Sequence, residues 1–325
     1  MPGGPALDAL GEEAVLARLV AMAGQDGELP AGDDAAGWRQ EAGTALISTD
    51  SMVEGVHFRR EFQSPYQLGR KAWAQAASDM AAMGAWPVLG VVAGVFPGST
   101  PAEVVEAVQL GLVEAAESAG ARLAGGDLSS GPVISLSVTV VGRTRDGNPV
   151  LLAGARPGDR LLVTGSLGCA AAALAALESG SPQADVPPAW LARLLTPTAR
   201  LREGERLRRL GCSALTDLSD GLLLDSARMA RASGVAIELW ADRLQGVGRG
   251  PDLHLVMTGG EDYELLAAVP RGGPAPPLAG WGPELAPLTE VGAIRTGEGV
   301  VVLDRQGGAP VALGVEVGYQ HFRNG

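Results

Sequence analysis

At 325 residues the chain exceeds what a single hydrophobic core usually supports, so two domains are expected. Its formal net charge of −12 argues against a nucleic-acid partner, which needs clustered cations, and fits carboxylates partly neutralised by bound divalent cations. There is no apolar run of about eighteen residues and no secretory signal, so the expectation is no membrane partner and a cytoplasmic location.

Residues 1–5 read as a tail, and Leu7 to Ala23 as a helix with apolar Leu16, Leu19, Val20 and Ala23. Gly24 to Gly37 is a loop rich in glycine and aspartate. A strand is expected over Thr44 to Thr49, then a helix from Gln67 to Gly84, ended by Gly84 and Pro87. Val88 to Phe96 reads as a strand. Pro101 opens a helix to about Ser118, with Gly120 past its end. Ala121 to Leu123 leads into the glycine-rich turn Gly125-Gly126-Asp127, and Val133 to Arg143 alternates as a strand. Glycine and proline cluster near residues 144–158, which divides the chain into domains 1–148 and 149–325.

Beyond that linker, Arg160 to Thr164 is a strand, and Gly165-Ser166-Leu167-Gly168 opens an alanine-rich helix to about Leu177. Ser179 to Pro188 reads as loop, Thr198 to Leu210 as helix, and Ala214 to Thr216 as a short strand. Leu222 to Ala232 is a helix. Val235 to Leu239, Tyr263 to Val269 and Val300 to Leu303 are strands, and Arg271 to Pro287 is loop-rich. Strands and helices alternating in both halves imply α/β or α+β layers.

Acidic residues beside glycine or serine recur along the chain. Asp33 and Asp34 follow Gly32, and adjacent carboxylates repel unless a cation or donors compensate. Mg²⁺ takes oxygen ligands and keeps several waters, so one or two carboxylates per ion suffice. Alone, this pair reads better as a solvated acidic turn. Asp50 ends a strand beside Ser48 and Thr49, where either a ligand contact or an Asx-turn fits. Asp79 shares a helix face with Ala72, Ala76 and Met83, so it requires a cation, strong donors or a place at the edge of that face. Asp217, Ser219 and Asp220 crowd a strand-to-helix turn, with Asp225 beyond. Glu261 and Asp262 follow Gly259-Gly260, and His57 lies in a polar turn seven residues after Asp50. Cys169 and Cys212 lack CxxC spacing and read as reduced thiols. Lys71 is the one lysine. No GxxxxGK[ST] P-loop, GxSxG elbow or zinc-type His/Cys cluster is present, so phosphate chemistry here would rely on carboxylate-held Mg²⁺.

Together these pieces resemble the thiamine-monophosphate kinase family of the aminoimidazole ribonucleotide synthetase superfamily. The matching stretches begin with Gly32-Asp33-Asp34-Ala35-Ala36, Ser48-Thr49-Asp50, Val53-Glu54-Gly55-Val56-His57-Phe58, Lys71-Ala72 and Ser78-Asp79-Met80-Ala81. They continue with Gly125-Gly126-Asp127, Pro157-Gly158-Asp159, Thr164-Gly165, Asp217-Leu218-Ser219-Asp220-Gly221, Gly259-Gly260-Glu261-Asp262-Tyr263 and Gly318-Tyr319-Gln320-His321-Phe322. The order is maintained over nearly the whole length.

The resemblance implies ATP-dependent phosphorylation of thiamine monophosphate to thiamine diphosphate with Mg²⁺, by direct in-line transfer. It implies Mg²⁺ contacts at Asp34, Ser48, Thr49, Asp50, Asp79, Asp127, Asp217 and Asp220, and ATP contacts at Gly126, Asp127 and Ser219. It implies substrate contacts at His57, Glu261 and Tyr319, with no covalent nucleophile. The implied fold is an N-terminal α+β domain, completing a β-barrel across a homodimer, followed by a C-terminal α/β domain. Three positions depart from the family pattern: Leu152 stands for an ATP-contacting Arg, Ala76 for an Asn and Leu128 for a Thr. The alternatives are a sister ATP-using enzyme of the superfamily, or a non-catalytic nucleotide or thiamine-diphosphate binding protein. A selenophosphate synthetase would need a reactive Cys near the N-terminus, and none precedes Cys169.

Overall fold

The computed structural model describes residues 36–40, 43–248, 250–272 and 281–311. The expected helix Leu7 to Ala23, Asp34 and Tyr319 lie outside the described residues.

The N-terminal half comprises β1 (Ala36–Gln40), β2 (Gly43–Val53), α1 (Pro65–Ala82), β3 (Trp86–Phe96), α2 (Ala102–Ser118), β4 (Arg122–Ser130) and β5 (Ser135–Arg143). Its five strands stand in the order β1-β2-β5-β3-β4, antiparallel except for the β3–β4 pair. α1 begins where the sequence supplies a full capping box: Ser64 accepts from the Gln67 N–H, and Gln67 accepts from the Ser64 N–H, with Pro65 at the first turn. α1 and α2 press together at two glycines. A Cβ on Gly69 would lie 2.0 Å from the Val108 carbonyl oxygen, and one on Gly111 2.1 Å from that of Tyr66. These helices cover one sheet face, onto which Leu136, Val138 and Val140 project. Among the described residues nothing covers the other face: Thr139 donates to Thr49 at 2.9 Å, Ser51 and Ser137 share a bond of 2.7 Å, and Leu128 is 65% exposed.

The C-terminal half comprises β6 (Arg160–Thr164), α3 (Cys169–Glu178), α4 (Pro188–Leu195), α5 (Leu201–Arg209), β7 (Ala214–Leu218), α6 (Leu222–Ser233), β8 (Ala236–Trp240), α7 (Ala241–Gly248), α8 (Leu253–Thr258), β9 (Glu264–Val269), β10 (Leu288–Arg295) and β11 (Gly299–Leu303). Its sheet runs β11-β8-β10-β6-β9-β7, antiparallel except for the β11–β8 pair. The strands β6, β7 and β9 are buried almost throughout, which is why they read as short continuous apolar runs.

Several elements differ from expectation. Gly125-Gly126-Asp127 is not a turn but the middle of β4, because pairing with β3 overrides the turn preference of glycine. β1, β10, α4, α7 and α8 were not expected. The two halves meet along α1. Ser78 donates to Asp217 Oδ2 at 2.6 Å, and a Cβ on Gly204 of α5 would lie 2.1 Å from the Ala81 carbonyl oxygen.

Candidate active site

A cleft of about 480 Å³ opens between the two halves. Its spine is α1, which presents Lys71, Gln75 and Asp79 at i, i+4 and i+8 on one face. Asp79 lies at the edge of the face it shares with Ala72, Ala76 and Met83. Those three are buried, whereas Asp79 is only partly so and borders the cleft. The second half of β2 contributes Thr49 and Asp50, the following turn His57, the end of β7 Asp217, and the β7–α6 turn Ser219 and Asp220. Glu261 arrives on the loop before β9. Val56 and Phe58, with Phe62, Leu174, Leu194 and Leu195 of one hydrophobic cluster, add an apolar part to the lining.

The acidic part is tied together by short polar contacts. Ser48 donates to Asp79, and Gln75 Nε2 donates to Asp50 Oδ1 at 3.4 Å. Asp50 Oδ2 and Gln75 Oε1 are buried acceptors without a hydrogen-bond partner. Burial above all raises the Asp50 carboxyl, with the Asp220 charge adding to it. Asp217 is pushed up to about 7, chiefly by burial and further by Asp50 and Asp220, against the opposing hydrogen bond from Ser78. Arg228 pairs with both Asp220 and Asp225. His57 Nδ1 accepts the Val53 N–H at 3.0 Å, so the neutral ring carries its proton on Nε2.

This donor set suits Mg²⁺. It is all oxygen, it holds an orphaned buried carboxylate oxygen, and its elevated carboxyls are those a dication would bring back down. Among the described residues no three His, Cys, Asp or Glu side chains already converge as a ready cage. Mg²⁺ does not need one, since it is commonly bound by one or two carboxylates with waters and substrate phosphates.

Eight of the anticipated residues, Thr49, Asp50, His57, Asp79, Asp217, Ser219, Asp220 and Glu261, line this cleft, and Ser48 touches it through Asp79. Gly126 and Asp127 do not line it. Asp50 pairs with Val138, Val138 with Val92, and Val92 with Gly126, one row on the helix-covered face. Asp127 falls in the next row with Ser51 and Ser137, on the bare face, three strands from β2. Gly126 has a packing reason of its own, since a Cβ there would lie 1.9 Å from the Val92 carbonyl oxygen. Leu152 is buried in the C-terminal core, away from the cleft. Of the arginines that could take over the contact missing at Leu152, Arg145 stacks over the Trp86 ring at 4.0 Å and, like Arg143 and Arg156, does not line the cleft. Gln75 and Tyr263 were not anticipated. Gln75 was readable from its spacing midway between Lys71 and Asp79. Tyr263 is buried with a φ of 48°, which no local pattern announces.

Residues 32–144 match the N-terminal domain of the AIR synthase related proteins, and residues 156–273 match their C-terminal domain. The thiamine-monophosphate kinase of Mycobacterium tuberculosis is 38% identical over 291 residues, covering 85% of both chains. That of Escherichia coli K12 is 36% identical over 331 residues, covering 97% of this chain and 99% of its own. Among solved structures, AaThiL complexed with AMPPCP and TMP matches with a TM-score of 0.83 at 30% identity, covering 98% of this chain and 99% of that one. The chain belongs to the thiamine-monophosphate kinase family.

Proposed function

We propose that this chain transfers the γ-phosphoryl group of ATP to thiamine monophosphate, giving thiamine diphosphate and ADP. The observation that carries this reading is a cleft lined both by a group of interacting carboxylates and by a hydrophobic cluster. A substrate that is a phosphate ester of an aromatic cation matches that combination. The relatives' kinase names and the AMPPCP and TMP bound to AaThiL support the same assignment.

The residues proposed to hold Mg²⁺ are Asp50, Asp79, Asp217 and Asp220 with Ser48 and Thr49, together with Asp34 and Asp127. Bound there, Mg²⁺ supplies neutralisation of the phosphate charges. An oxygen of the substrate phosphate is anionic near neutral pH, so the in-line attack on the γ-phosphorus calls for no general base. The protein's part is positioning in a site sheltered from water. His57 and Glu261 orient the substrate, with Tyr319, and the Ser219 turn meets ATP. Gly126 and its neighbour Asp127, the latter on the bare side of the sheet, meet ATP. We further propose a cytoplasmic homodimer joined through that bare face, with the two domains divided between residues 148 and 149.

ADP release should be measured with ATP plus thiamine monophosphate, ATP plus thiamine, and ATP alone. The reading expects release with thiamine monophosphate and little in the other two. Equal release in all three would reduce the protein to an ATPase. No release from folded protein would favour a binding-only role or a sister ATP-dependent activity.

A further inference from the structure

Lys71 is the chain's single lysine and is 1% exposed. Its Nζ lies 2.8 Å from Glu261 Oε1 and donates to the His57 carbonyl oxygen at 3.4 Å. Glu261 belongs to the C-terminal half and His57 to the N-terminal half, and all three residues line the cleft. Two segments facing the substrate from opposite sides therefore hang on one ammonium group.

Packing does not explain this arrangement. Replacing a buried ion pair by apolar side chains is commonly neutral or stabilising, so a core position has no need of a lysine. The carboxylate it holds is also not relaxed. Glu261 has a φ of 63°, a region costly for a residue with a side chain, and its N–H donates to the Ser219 carbonyl oxygen at 2.8 Å. Strain of this kind persists where the surroundings fix it, and Lys71 fixes the side-chain end. Glu261 remains 26% exposed, so part of its carboxylate faces the cleft while Oε1 is engaged.

We propose that Lys71 is a positioning residue for the thiamine substrate. It acts through Glu261 and the His57 carbonyl to hold both substrate-facing segments at their working separation. Recognition of the substrate then depends on a residue that does not itself react, and ATP binding does not depend on it. This inference rests on the kinase reading.

The test is steady-state kinetics of wild type, Lys71→Met, Glu261→Gln and the double variant, varying thiamine monophosphate and ATP separately. Lys71→Met should raise the KM for thiamine monophosphate about tenfold or more, the usual consequence of losing a charged hydrogen bond. The KM for ATP should stay within about twofold. The double variant should bind substrate no worse than Glu261→Gln alone, because both substitutions cut one linkage. Three outcomes overturn the proposal: both KM values rising together, Lys71→Met matching wild type, or fully additive losses in the double variant. Should Lys71→Met not fold, the double variant, which leaves no buried unpaired charge, is compared with Glu261→Gln, and a further loss overturns the proposal. A wild type with no turnover overturns the kinase reading and this inference with it.

Discussion

Asp50 shows how far a single residue could be read in advance. Its place at a strand end beside Ser48 and Thr49 marked it as a ligand contact or a turn former, and nothing local chose between the two. In the fold it terminates no strand. The strand continues past it to Val53, its carboxyl is raised by burial, and Oδ2 has no partner. Asp50→Asn should lower turnover by about 100-fold or more, in line with losing a group that organises charge in a transition state. It should leave thermal stability unchanged or slightly higher, since a buried unpaired charge is removed. Turnover at the wild-type level would remove Asp50 from the proposed metal site. Leu152 teaches the opposite lesson. Against the family pattern it looked like a lost ATP contact, but burial places it in the core, where an arginine would be an uncompensated charge rather than a repair.

At the scale of elements, the strongly patterned segments were legible. The boundaries of β6 match the expectation to the residue, and α1, α2 and α6 fall within a few residues of theirs. The elements that escaped are short or sit behind punctuation. α4 begins at Pro188 after a proline-rich loop, α8 spans only Leu253–Thr258, and β10 follows the glycine- and proline-rich stretch before Leu288. Gly125-Gly126-Asp127 was misplaced for another reason: a strand at a sheet edge takes its conformation from its neighbour, which the local sequence does not contain. α1 matters most for function, since it carries Lys71, Gln75 and Asp79. Its capping box gives it a defined start, and Ser64→Ala should cost about 1 kcal/mol of stability in chemical denaturation. Because the cap lies well before the cleft-facing turns, kcat should be little changed. A large fall in kcat without loss of stability would show that the first turn does more than cap.

At the scale of the whole molecule, the acidic balance bears on stability through its buried carboxyls. Asp217 rises to about 7 and Asp225 and Asp262 rise well above their ordinary range, each chiefly through burial. A carboxyl whose folded-state pKa is raised stabilises the fold below its unfolded pKa, and that contribution disappears as the pH climbs through the folded value. In EDTA the melting temperature should therefore be lower at about pH 8 than at about pH 5.5, with the loss concentrated near neutrality. A melting temperature that rises over this range would mean that the partners of these carboxyls, such as Arg228 beside Asp225, outweigh their burial. How the two halves enclose one cleft could not be read from the chain, because it depends on contacts such as Ser78 to Asp217 between segments far apart in sequence. What was legible was the set of acids, since their glycine and serine neighbours mark them wherever the fold takes them.

The most direct test of the account is to quantify ADP and thiamine diphosphate formed together from ATP and thiamine monophosphate, with Mg²⁺ and with EDTA. The account predicts equal amounts of the two products with Mg²⁺ and neither with EDTA. Well-folded protein that binds both substrates yet forms no thiamine diphosphate with Mg²⁺ would contradict it.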